Sequence, residues 1–385
     1  MVGGFNRLRK EDLRRRILTY LHRAGYSTKN LSFNGALHLS KMQIRSYHFS
    51  QRTNKLIRER KFIASFKGEM LRHLAAGQDV IPSKIDPEIT MVKPESEEAS
   101  IFRFATLNWS IPTSNGYGRR IRFLVTDRNN HKLIGILALG DPVFNLNARD
   151  AWIGWDTATK TKNLINVMDA YVLGALPPYS NLIGGKLVAS MVASNEVRKA
   201  FRTKYAKQKT IISKRLVNPQ LVLCTTTSAL GRSTLYDRFR VNGKLLFEKI
   251  GATKGYGHFH IPEKLFIEIR NYLAGVDDSY VNNNRFGQGP NWRFRVIRKG
   301  LTRLGLNPDM MCHGIKRDVY AIPLASNFRK FLKGEVKVPK MKGMPARDLA
   351  EFCKTRWMIP RSQRDTSYLA VSPESTLNMM LRSQP

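Results

Sequence analysis

The sequence predicts an α+β protein with a mixed, largely antiparallel sheet and flanking helices, extended by N-terminal helices and a basic C-terminal region. Three observations carry that expectation. Two short apolar runs, 121–126 and 132–139, flank Asp127-Arg128-Asn129-Asn130-His131, which has the turn chemistry of an antiparallel hairpin. Strand-like and helix-like stretches follow one another between 149 and 226. The first 76 residues, by contrast, carry helical periodicity.

Each element can be justified in order. Leu13, Ile17 and Leu21 recur at every fourth position over 10–24, and Gly25 stands where such a helix would stop. A longer helix is expected between Ser40, its cap, and Ala76, with Gly77 beyond its end. Three prolines and an acidic cluster make 82–99 a linker or an ordered connection, which divides the chain into a basic helical region at 1–99 and a core at 100–265. Ile101 to Phe104 reads as the start of a strand. After the hairpin, 149–155 reads as a strand and turn, and Thr157 or Thr159 as the cap of a helix bearing Leu164, Val167, Met168 and Tyr171. Pro177-Pro178 breaks the chain before Gly184-Gly185 opens an apolar helix, and 216–226 is β-rich. A third region, 266–385, begins with a helix through Leu273 and ends in a polar tail expected to be poorly ordered from about 362.

Charge bounds the partner class. Lys and Arg number 65 against 29 Asp and Glu, a net charge of +36, far beyond what solubility requires, so an extended polyanion is the natural partner. The excess concentrates at both ends. Residues 1–76 hold 17 basic and 4 acidic side chains, and 285–364 hold 19 and 5. In the second segment Trp292, Phe294 and Trp357 are interleaved with the cations, the mixture that meets phosphates and stacks on bases, although the same aromatics could serve a core. Arg14, Arg15, Arg16, Arg232, Arg293, Arg295, Arg298 and Trp292 are therefore the expected nucleic-acid-binding residues, with DNA preferred over RNA. No apolar run approaches a membrane-spanning length, so no membrane partner is expected. The basic N-terminus lacks the apolar segment of a secretory signal, and Cys224, Cys312 and Cys353 lie far apart, which fits a reduced cytoplasm and neither a disulfide framework nor a zinc site.

Candidates for chemistry are fewer. Gly184, Gly185 and Lys186 at a helix start form a possible phosphate or ligand loop, and equally a close-packed turn. His258 and His260 alternate as on a strand and would share one face near Tyr256. Asp150 and Asp156 are candidate orienting carboxylates for a histidine acid or base. The glycines at 251, 255 and 257 match neither a P-loop nor a dinucleotide fingerprint, and with no third ligand near the histidines no metal and no cofactor are expected. Sparse acids argue against a metal-dependent nuclease, and Asp277 and Asp278, being adjacent, would fall on opposite faces of a strand or apart on a helix.

Four stretches together carry a family resemblance: RDAWIGWDTATKTKNLINVMDAY at 149–171, LPPYSNLIGGKLVAS at 176–190, TTTSALGRSTLYDRF at 225–239 and IGATKGYGHFH at 250–260. In these the chain resembles the A components of the Druantia anti-phage defence system of bacteria. That resemblance implies a defence role beside a large helicase-related partner and smaller accessory subunits, with no catalytic residue to carry over. It also implies a core similar to the acyl-CoA N-acyltransferase superfamily, in which a hairpin precedes a strand, a glycine-containing pyrophosphate loop and a helix. Where that superfamily carries Arg/Gln-x-x-Gly-x-Gly/Ala, this chain reads Asn181-Leu182-Ile183-Gly184-Gly185-Lys186. Two functions stay open on these grounds: a basic nucleic-acid-binding module, and a group-transfer enzyme acting on nucleic acid or protein during phage infection.

Overall fold

A computed structural model describes residues 2–23, 41–109, 111, 113, 118–209, 216–255, 261–277, 279, 292–311 and 316–382. In chain order its strands are β1 (Pro87–Met91), β2 (Arg120–Asp127), β3 (Lys132–Gly140), β4 (Val167–Ala175), β5 (Gln208–Lys209), β6 (Leu216–Val217), β7 (Leu223–Thr227), β8 (Arg240–Val241), β9 (Lys244–Leu245), β10 (Glu248–Ala252) and β11 (Asp318–Pro323). Seven of them make one sheet in the order β1-β2-β3-β4-β7-β11-β10, and β5/β6 and β8/β9 make two small ribbons. Within the large sheet every neighbouring pair is antiparallel except β4 and β7, so the sheet is mixed and mostly antiparallel, as the sequence predicts.

The hairpin forms where its turn residues place it. Asp127 accepts from the Asn129 amide at 3.1 Å, Asn130 accepts from the Lys132 amide at 3.0 Å, and the strands register from Arg120 opposite Gly140 to Asp127 opposite Lys132. The buried Tyr179 hydroxyl donates to Asp127 at 3.0 Å, which fastens the later Pro-Pro turn to this hairpin.

Both faces of the sheet are covered. Ile121, Phe123, Val125, Met168, Ala170, Cys224, Tyr320 and Ile322 enter one core with Leu187 and Val188 of helix Gly184–Ser190, Phe201 of helix Asn195–Tyr205 and Leu349 of helix Ala346–Cys353. The opposite face carries two separate clusters. One joins Leu124, Leu133, Ile136 and Val172 to Met70, Phe104 and Met380. The other joins Val167, Leu223 and Ala321 to Ile153, Phe328 and Leu332.

This double coverage explains several departures from the sequence reading. A strand buried on both faces loses its alternation, and Leu164, Val167, Met168 and Tyr171 then imitate a helical stripe. Here Asp156, not a threonine, caps a helix at Thr157–Asn163, and the chain then runs through a short 3-10 turn into β4. Residues 149–155 are not a strand: helix Asn147–Ile153 occupies them and ends on Gly154, whose φ of 80° is the left-handed geometry of a helix stop. Ile101 to Phe104 lie in helix Glu97–Ala105, started by Ser96 accepting from the Ala99 amide and by two first-turn acids. The proline-rich stretch at 82–99 contributes the edge strand β1, paired antiparallel to β2. The tail is ordered as well, since helix Pro373–Leu381 has a Ser372/Ser375 capping box and buries Leu377 and Met380.

By contacts the chain forms two compact units, residues 1–50 with 253–317 and residues 51–252 with 318–385. The sequence divides at 99 and 265, whereas contacts group 51–99 with the sheet and 266–317 with the N-terminal helix. The first unit contains helices Val2–Arg23, Glu263–Val276 and Trp292–Arg303 around Leu13, Ile17, Leu21, Phe266, Ile269, Ile297 and Leu301. Among the described residues, no helix is long and apolar enough to cross a membrane.

Candidate functional site

In the helical unit, the basic residues divide by role. Helix Trp292–Arg303 contains five Arg or Lys and no acid, and it buries Val296, Ile297, Gly300 and Leu301 on one side. Arg295 and Arg298, one turn apart, are exposed on the other. Arg293 turns inward instead: it pairs with Glu263, donates to the Ile261 carbonyl at 2.9 Å and lies 4.4 Å over the Phe266 ring. Trp292 meets the same ring edge-on at 5.4 Å, so it packs rather than offering a free stacking face. Arg14 donates to the Leu304 and Gly305 carbonyls, and Arg16 bridges Asp12 and Glu268, so both fasten helices together. Arg15 is 78% exposed and pairs only with Asp12 of its own helix among the described residues.

The sheet unit holds an acid that the sequence reading overlooked. Asp169 alternates with Met168 and Ala170 on β4, so it projects to the face that carries the two separate apolar clusters. It lies between them, directly opposite Thr225 of β7, whose hydroxyl donates to its carboxylate at 2.8 Å. Arg120, stacked 4.2 Å over the Tyr171 ring, and the fully buried Arg149 complete its charged surroundings. Protein encloses the carboxylate while the residue keeps some solvent access. Burial pushes its pKa up to about 6, against the opposing pull of the Thr225 hydroxyl and the two guanidinium charges. Asp169 also stands at the parallel pair, where β4 and β7 register for only three residues before parting.

The raised value gives a signed expectation for stability. Protonated Asp169 favours folding fully below its ordinary value of 3.8, and that contribution disappears as pH rises through about 6. Asp169→Asn should therefore stabilise the protein near pH 8 by about 1–2 kcal/mol, with the advantage shrinking to nothing near pH 4. Thermal melts across that range check it. A gain of the same size at every pH would contradict the assignment.

The remaining candidates are placed as follows. Gly184 donates its N–H to the Tyr179 carbonyl at 2.8 Å, and a Cβ on Gly184 or Gly185 would meet that carbonyl at 2.6 Å or Leu235 at 3.0 Å. Gly184 is thus required by close packing against backbone, whereas Gly185 faces only the end of a leucine side chain, and the Gly184 amide of the expected loop is already bonded. Lys186 has its Nζ 4.4 Å from the Trp357 ring and 5.1 Å from Phe239, where burial lowers its pKa. Two of the diagnostic stretches, 176–190 and 225–239, therefore meet through Gly185, Lys186, Leu235 and Phe239. Arg232 heads a chain of ion pairs: it contacts Asp237 at 2.7 Å, Asp237 accepts from Tyr320 at 2.5 Å, and Asp318 beside Tyr320 pairs with Lys249 at 2.9 Å. Asp150 is held between Arg149 at 2.6 Å and Lys160 at 3.0 Å. Asp156 is a helix cap, accepting from the Thr159 amide at 2.8 Å and hydroxyl at 2.6 Å, which lowers its pKa. Tyr256, His258 and His260 lie outside the described residues.

Fold and site together define an α+β protein with a basic helical unit and an acid set into the face of its sheet. The chain matches the family described as Druantia protein DruA over residues 38–334. It is 42% identical over 364 residues to Druantia protein DruA of Escherichia coli (strain UMEA 4076-1), covering 94% of this chain and 90% of that protein. This chain belongs to the DruA family. No solved structure matches it.

Proposed function

We propose that this chain serves a Druantia anti-phage defence system as its nucleic-acid-binding component, engaging DNA in preference to RNA and working beside other Druantia subunits, a large helicase-related protein among them. Membership of the DruA family supports the defence role and the other subunits. One observation supports the nucleic-acid reading above the rest: the acid-free helix Trp292–Arg303 exposes Arg295 and Arg298 in a chain of net charge +36. Cations one helical turn apart suit successive phosphates along a strand. Fluorescence anisotropy with labelled duplex DNA, single-stranded DNA and duplex RNA in low-salt buffer tests it. DNA should bind most tightly, and absence of binding to all three would refute the reading.

Asp169 favours a second reading, in which the sheet unit is a group-transfer enzyme similar to the acyl-CoA N-acyltransferases. The order of hairpin β2–β3, strand β4, glycine turn and helix Gly184–Ser190 supports that likeness. An enclosed carboxylate that titrates near neutral pH suits a general acid or base. Mass spectrometry of small molecules retained on purification separates the readings, since a co-purified CoA-type ligand would favour the enzyme.

A further inference from the structure

We propose that Glu69, His73 and Glu97 form a binding site for a first-row divalent metal ion, zinc above all. Glu69 and His73 stand four residues apart near the end of helix Lys41–His73, which puts both on one face, and Glu97 reaches them from the first turn of helix Glu97–Ala105. Their ligand atoms all lie within 4.8 Å of one another. His73 Nε2 is 3.3 Å from Glu97 Oε1 and 3.7 Å from Glu69 Oε1. Bonds of about 2.0–2.2 Å at tetrahedral angles place zinc ligands roughly 3.3–3.6 Å apart, so two edges of the tetrahedron are close to their final length.

The surroundings orient these groups further. Arg72 holds the second oxygen of Glu69, Oε2, at 2.8 Å and leaves Oε1 toward the histidine, the kind of outer contact that fixes a carboxylate ligand. Basic residues outnumber acids 65 to 29, yet among the described residues the only ion pair of Glu97 is with His73. Two carboxylates whose oxygens lie within 4.8 Å of one another repel, and a bound cation relieves that repulsion. An imidazole in the set favours zinc and its neighbours in the first transition row over magnesium or calcium, which prefer oxygen ligands alone. Partial exposure of all three side chains, from 27% to 60%, leaves an entry path and room for water as the fourth ligand. The sequence conceals this site because only Glu69 and His73 are near in the chain, and the third ligand comes 24 residues after the histidine.

Zinc titrated into the full chain against a chromophoric competitor tests the proposal. One equivalent should bind, excess magnesium should not displace it, and His73→Ala and Glu97→Gln should each weaken binding about tenfold or more. At the same zinc concentration the melting temperature should rise further for the parent than for either variant. Zinc bound equally by the parent and both variants, or no zinc bound by the parent, would overturn it. Glu97 is 60% exposed, so its glutamine variant keeps the test valid should the histidine variant fold poorly.

Discussion

Replacing Arg149 with methionine lowers the unfolding free energy by about 3–5 kcal/mol, the cost of breaking a buried ion-pair and hydrogen-bond network from one side. Arg149 is 0% exposed. Its guanidinium contacts Asp150 Oδ1 at 2.6 and 2.8 Å and donates to the Val143 and Phe144 carbonyls at 2.9 and 2.8 Å. Methionine fills much of the volume and satisfies none of these acceptors. Asp150 keeps Lys160, but the two carbonyls lose their donor, and the loop they belong to loses its anchor. Arg149→Lys should fall between, because one ammonium cannot reproduce a planar fork. Urea denaturation of the three proteins measures the difference. A loss below about 1 kcal/mol for the methionine variant would mean that the guanidinium is not the anchor described.

Reversing charge at Arg295 and Arg298 together, as Arg295→Glu with Arg298→Glu, is expected to weaken DNA binding by about a hundredfold or more at moderate salt. Each lost phosphate contact removes counterion release, and each new carboxylate adds repulsion. Both side chains are exposed, so stability should change by less than about 1 kcal/mol. Arg14 and Arg293 provide the contrast. They hold helices of the same unit through carbonyls and Glu263, so their loss should appear mainly in the melting temperature. Equal loss of binding from both pairs of variants, at equal stability, would show that the outward face has no special part.

The contrast also marks how far the sequence could be read. Arg14, Arg15 and Arg16 are consecutive, and nothing local distinguishes them. Arg16 is tied to Glu268, 252 residues away, while Arg15 pairs only within its own helix among the described residues. The hairpin was legible because its turn residues act locally, and so was the first helix, whose Leu13, Ile17 and Leu21 meet a partner on one side only. Strand β4 was not, because cover on both faces erased the alternation that identifies a strand. With it went Asp169, whose one signal was a lone acid in the apolar run Val167-Met168-Asp169-Ala170-Tyr171-Val172. The diagnostic stretches were legible as a family signature for a different reason. Trp152 stacks on Phe328 at 5.0 Å, Trp155 donates to the Leu332 carbonyl at 2.7 Å, and Gly184 permits close packing on the Tyr179 carbonyl, so those residue types serve the fold itself. A signature of that kind identifies relatives well and does not by itself name a reaction.

The salt dependence of DNA binding by the full chain tests the central claim most directly. The logarithm of the association constant should fall linearly with the logarithm of salt concentration, with a slope steeper than about −3, and the paired Arg295→Glu, Arg298→Glu variant should make that slope shallower by about 2. A slope near zero, or a variant whose slope and affinity equal those of the parent, would contradict the account.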